Sequence, residues 1–128
     1  MRFYSTRDRS RLVDFREAIF SGLAPDGGLY HPESEPSVRE IILRAPGDRS
    51  FAALAADLVH GLMPDVFDPE SARTVCERAF PFSPRLRPLS DQLLLLELFH
   101  GPSCAFKDFG ASFLAAAMEH LLAGADQR

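Results

Sequence analysis

Of the 14 basic residues in this 128-residue chain, 13 are Arg and one is Lys, at position 107. A guanidinium stays protonated in proteins, whereas an amine can lose its proton and serve as a nucleophile or proton carrier. Lys107 is therefore the basic side chain suited to covalent chemistry. Its neighbours include His100, Gly101, Ser103, Cys104, Phe106, Asp108 and Phe109. Taken alone, a Lys at a helix start is a solvated surface residue, and a base composition favouring Arg, Ala, Leu and Pro accounts for the scarcity of Lys. Asp108 reads as a helix cap and Cys104 as a small buried hydrophobe. His31, His60, His100 and His120 share no spacing that would surround a metal, so no metal site is expected. The Asp26-Gly27-Gly28 turn lacks the Lys-Ser/Thr pair and following helix of a phosphate loop.

The elements that must position Lys107 follow from local signals. Asp14 caps a helix expected over Phe15–Ser21, with Glu17 in capping-box position and Gly22 as its stop. Phe3-Tyr4-Ser5 is expected to pair with Leu29-Tyr30, the short extended piece before Pro32. Ser37 and Glu40 signal a second helix that closes near Pro46-Gly47. A third follows Ser50, with Phe51, Leu54, Ala55, Leu58, Val59 and Leu62 on one face and Gly61 as a left-handed stop. A fourth starts at Asp68 with Pro69 in its first position, turning Ala72, Val75, Cys76 and Ala79 inward. Three prolines between Pro81 and Pro88 predict an extended connector without helix or strand interior.

After the connector, Leu93 to Phe99 is a nearly continuous apolar run, as in a strand covered on both faces within a largely parallel sheet. A helix is expected from about Phe109 to Leu122, ended by Gly124, with Phe113, Leu114, Ala117, Met118, Leu121 and Leu122 on its apolar face. The fold class is α/β: a mostly helical amino-terminal unit over residues 1–80, a connector over 81–88, and a strand, loop and helix over 89–128. That last portion is half of a βαβ unit. With almost no other strand of comparable length, its sheet is expected to be missing, which makes the chain a truncated piece of something larger.

The composition, 46% hydrophobic and 25% charged with a formal net charge of -4, excludes a basic nucleic-acid-binding module. The apolar run is far shorter than a membrane span of about 20 residues, and the polar start lacks the apolar core of a signal peptide. Two cysteines are too few for a disulfide framework. No nucleic acid, no membrane and a cytoplasmic location are the resulting expectations.

The stretch Leu96-Glu97-Leu98-Phe99-His100-Gly101-Pro102-Ser103-Cys104-Ala105-Phe106-Lys107-Asp108-Phe109-Gly110 closely resembles the cofactor-lysine segment of threonine synthases, LELFHGPTxAFKDxG. Tyr4-Ser5-Thr6-Arg7, together with Glu17-Ala18 through Gly22 to Tyr30, resembles the amino-terminal domain of the same enzymes. The resemblance covers the whole chain, but only about the first third of a typical member. It implies the start of a pyridoxal 5'-phosphate (PLP)-binding α/β domain in which Lys107 is both the catalytic and the cofactor-binding residue, forming an imine with the cofactor aldehyde. The implied substrate is O-phospho-L-homoserine, converted with water to L-threonine and phosphate. Imine formation needs a neutral amine, whereas free Lys has a pKa of about 10.4, so a pocket must lower it. Phe99, Phe106 and Phe109 are the apolar side chains available to desolvate it. Ser103 stands where the family usually has Thr, with the hydroxyl kept.

The family's glycine-rich cofactor-phosphate loop and its substrate-phosphate contacts fall beyond residue 128, so the chain alone is expected to be inactive. Two other readings stay open: a non-enzymatic interaction module, and another PLP-dependent enzyme of the same fold. The amino-terminal block argues against the latter. An unpaired apolar strand edge would favour self-association.

Overall fold

A computed structural model describes residues 1–123. Strand β1 (Arg2–Ser5) lies in the middle of an antiparallel sheet, flanked by β2 (Leu12–Asp14) and β3 (Tyr30–Pro32). Ser5 pairs with Tyr30, as the sequence predicts. β2 has no sequence signal of its own, being three residues long; pairing Val13 with Phe3 makes it a strand and buries Val13.

Helix α1 (Phe15–Ser21) has the predicted bounds. Its cap is Asp14, whose Oδ1 accepts from the Glu17 N–H at 2.7 Å, and Gly22 ends it with φ 69°. Helix α2 (Arg39–Arg44) departs from expectation: it begins after Val38, with no side-chain cap, so Ser37 does not cap it. In α3 (Phe51–Leu62) the Ser50 hydroxyl accepts from the Ala53 N–H at 3.2 Å. Gly61 does not stop this helix, which runs on to Leu62; a Cβ at position 61 would overlap Ile41 Cδ1. The glycine is there to let α2 approach.

Helix α4 (Pro69–Ala79) matches its signals. The Asp68 carboxylate accepts from the Ser71 N–H at 2.8 Å, and Ala72, Val75, Cys76 and Ala79 are all buried. Helix α5 (Lys107–Ala123) starts two residues before the expected Phe109. Its buried side chains include Ala116 and Ala117, while Leu114 and Leu122, expected inside, are exposed. Two small alanines let α5 lie close to its neighbours, turning the larger leucines outward. Gly124, the expected stop, lies outside the described residues.

The core gathers α3, α4 and α5 around Phe67, which is wholly buried and touches the rings of Phe15, Phe113 and His120 at 5.6, 6.4 and 5.8 Å. Burying such a ring contributes about 2–3 kcal/mol. A second aromatic cluster links the segments before and after the prolines. Phe109 of α5 packs against Phe51, Phe80 and Phe82 at 5.5, 6.2 and 5.1 Å.

The expected connector is partly a strand. β4 (Arg85–Ser90) pairs antiparallel with β5 (Leu93–Glu97), so the apolar run belongs to a hairpin and its described pairing is not parallel. Pro88 is accommodated because, among the described residues, β4 pairs on one side only and its register shifts between Pro88 and Ser90. The strand expected to be covered on both faces is exposed: Leu93, Leu94, Leu95 and Leu96 all face outward, Leu94 being 60% exposed. Among the described residues, no helix is long and apolar enough to cross a membrane.

Candidate active site

Between β5 and α5, residues 98–106 form a loop that delivers Lys107 as the first residue of α5. Lys107 is exposed. The three phenylalanines expected to desolvate it do not do so. Phe99 and Phe106 are 52% and 65% exposed, and Phe109 is drawn into the aromatic cluster on the helical unit. An i, i+2 separation on a helix sends Lys107 and Phe109 in different directions.

The loop itself is tightly folded. The Cys104 N–H donates to the Gly101 carbonyl at 3.1 Å, the Asp108 N–H to the Ala105 carbonyl at 3.1 Å, and Cys104 takes a left-handed φ of 56°. Cys104 is exposed, so it is not the small buried hydrophobe expected; its left-handed turn places it on the outside of the loop. Asp108 is only 7% exposed. Its Oδ2 accepts from the Ser103 N–H at 2.8 Å and its Oδ1 from the Ser103 hydroxyl. That hydroxyl, ahead of the backbone donors of Ser103 and Ala105 and against the cost of burial, holds the Asp108 carboxyl below the usual carboxylate range. Asp108 sits inside the first turn and bonds backward, so it is a loop tie rather than the helix cap expected.

Gly101 completes this arrangement. A Cβ there would come within 2.6 Å of Asp108 Cβ and 2.9 Å of its Cγ, so only glycine lets the carboxylate cross the turn. On the other side of the loop, His100 Nε2 lies 3.0 Å from Glu97 Oε2, and an Arg87 guanidinium nitrogen lies 3.7 Å from Glu97 Oε1. Sequence reasoning left Ser103 without a partner and missed the Glu97–His100 pair. A hydroxyl followed five residues later by a carboxylate has no helical or strand periodicity to reveal it.

Elsewhere, a cleft of about 150 Å³ opens between β1, β2 and the 24–30 turn, lined by Ser5, Asp8, Arg11, Asp26 and Tyr30 among others. Asp26 accepts there from the Ser5 hydroxyl at 2.7 Å and the Gly28 N–H at 2.8 Å, which stiffens the turn. Among the described residues, no group of three or more His, Cys, Asp or Glu is placed to hold a metal ion.

Residues 2–80 match the family model described as threonine synthase N terminus. The chain belongs to the threonine synthase family. Threonine synthase of Haemophilus influenzae is 36% identical over 121 residues, a match covering 92% of this chain and 27% of that protein. The crystal structure of threonine synthase from Escherichia coli superposes with a TM-score of 0.85 at 31% identity, over 95% of this chain and 28% of that one. PLP-bound threonine synthase from Brucella melitensis gives 0.82 at 30% identity, over 98% and 28%. The chain thus spans about a quarter of the length of these threonine synthases. The similarity runs well past residue 80, so the threonine synthase fold accounts for more of the chain than the helical unit alone.

Proposed function

We propose that this chain supplies the amino-terminal part of a PLP-dependent threonine synthase, with Lys107 as the amine that bonds the cofactor. The parent reaction would convert O-phospho-L-homoserine and water to L-threonine and phosphate. Residues 1–80 would form the amino-terminal domain, and residues 89–128 the start of the catalytic one. The observation that carries the reading is an accessible primary amine at the head of α5, on a backbone tied by Ser103 and Asp108, in a chain of this family.

PLP is the cofactor proposed because the Brucella melitensis relative is PLP-bound. The residues present fit one part of what PLP requires, a reachable amine on a fixed loop. When bound, PLP supplies an electron sink for charge developing on the substrate. Lys107 would hold the cofactor and, once released from it, carry protons over the reach of its four-carbon stem. Asp108 and Ser103 hold the backbone from which that stem projects. Phe99 and Phe106, exposed beside the loop, are placed to line a pocket wall if further chain covers them. With Lys107 open to water, the chain by itself is proposed to be inactive, since a preorganised, closed site is what raises the rate. Both free cysteines support a reducing, cytoplasmic setting.

The test is a chimera. Replacing the matching segment of Escherichia coli threonine synthase with this chain should retain phosphate release from O-phospho-L-homoserine. K107A in that chimera should lower the rate at least about a thousandfold. A K107A chimera as active as its parent would overturn the assignment.

A further inference from the structure

We propose that Asp108 is a positioning residue for Lys107: its carboxylate latches Ser103 across Gly101 and so fixes the backbone from which the amine projects. This rests on the reading of Lys107 as the cofactor amine. Asp108 and Lys107 are adjacent in the first turn of α5, one buried and one exposed. The buried carboxylate engages Ser103 with both oxygens, taking the Ser103 N–H at 2.8 Å on Oδ2 and the Ser103 hydroxyl on Oδ1. Hydrogen bonds to an ionised acceptor are roughly twice as strong as neutral ones. The approach is possible only because position 101 lacks a Cβ. Of two backbone turns in the loop, Ala105 to Asp108 lies inside the 103–108 span that the carboxylate closes and Gly101 to Cys104 overlaps its start.

The chemical consequence is twofold. A loop closed at three points no longer has to be ordered when a ligand meets the amine, so less entropy is lost on binding. The latch also occupies the neighbouring carboxylate. Both of its oxygens are engaged by Ser103, and among the described residues no ion pair joins Asp108 to Lys107, so the carboxylate does not hold the amine. Ser103 carries both donors of the latch, one of which needs only a hydroxyl. Thr would supply the same pair of donors.

The 128-residue chain serves for the test, compared as wild type, D108N, S103A and S103T. Two quantities are read: amide hydrogen exchange along the chain, and the yield of borohydride-trapped pyridoxal phosphate on Lys107 relative to the amino terminus. In D108N the Ser103 amide should exchange at least about tenfold faster, the size expected for losing a charge-assisted hydrogen bond. The Lys107-to-terminus ratio should fall about threefold or more, while protection of α3 and α4 stays as in wild type. S103A should move both readings the same way by less, and S103T should restore them. The proposal is overturned by an unprotected Ser103 amide in the wild type, by unchanged readings in D108N and S103A, or by exchange rising equally through α3 and α4. If Ser103 protection depends on Asp108 but K107A leaves the Escherichia coli chimera as active as its parent, the latch stands and the cofactor reading of Lys107 fails.

Discussion

Phe109 packs edge-on against Phe51 with ring centroids 5.5 Å apart, although the two lie on opposite sides of the proline-rich segment. That contact ties the helix bearing Lys107 to the helical unit. Phe80 and Phe82 close around the same ring at 6.2 and 5.1 Å. F109A should therefore destabilise the chain by about 2 kcal/mol, less than a fully buried Phe would cost because this ring is only half-buried. Urea unfolding measures it, and a change within about 0.5 kcal/mol, the usual range for surface positions, would contradict the packing role.

The two thiols differ sharply in environment. Cys76 is fully buried in α4, and Cys104 is exposed on the loop. An aromatic disulfide reagent should label Cys104 at once and Cys76 only on unfolding. Mass spectrometry of the labelled chain checks the order; prompt labelling of both would show that the α4 packing is wrong.

Stability should fall on both sides of neutrality. Hydrogen bonds from Ser5 to Asp26, from Ser71 to Asp68 and from Ser103 to Asp108 hold these carboxyls below their ordinary value. The unfolded chain then takes up protons first as the pH drops below about 4, and this contribution is lost through the lowered folded values. At the other end, burial pushes the Cys76 thiol up to about 11, so the folded chain keeps a proton that the unfolded chain releases near 9.0. Stability from this group is present below pH 9 and lost as the pH climbs to about 11. Urea midpoints at pH 3, 7 and 10 should peak at 7, and C76A should show a smaller alkaline fall. A flat profile would contradict both halves.

Among the described residues, the β4–β5 hairpin leaves leucines bare on both faces and unpaired backbone along its outer edges. Such a surface favours pairing with another chain. The chain should self-associate as its concentration rises, and L94K should reduce that association by placing a charge among the leucines. Light scattering decides; a wild type that stays a monodisperse monomer at high concentration would rule out association through this hairpin.

Much of the fold was legible where the signal is local. Asp14, Ser50 and Asp68 each accept from an amide three residues on, as their positions before apolar-periodic segments predict. The inward face of α4 was legible for the same reason. What was not legible depends on distant partners. Residues 12–14 become a strand only because β1 lies beside them, and residues 85–90 do so despite Pro88 because β5 does. Gly61 looked like a stop because a glycine near a helix end usually is one, yet here it answers to Ile41 on another helix. At the site, Lys107 stood out by type and flanking motif, while the role of Asp108 did not. A cap bonds forward into its helix, and Asp108 bonds backward to Ser103 through a turn that no periodicity encodes.

The central claim, that Lys107 is the amine set aside for the cofactor, is met most directly by covalent mapping. The chimera that carries this chain in place of the matching segment of Escherichia coli threonine synthase is incubated with pyridoxal phosphate, reduced with borohydride, digested and sequenced by mass spectrometry. That enzyme supplies the remaining length of the fold, of which this chain covers 28%. Label concentrated on Lys107 of the chimera is the result predicted; label absent from Lys107, or spread evenly over the amines of the chimera, would contradict it.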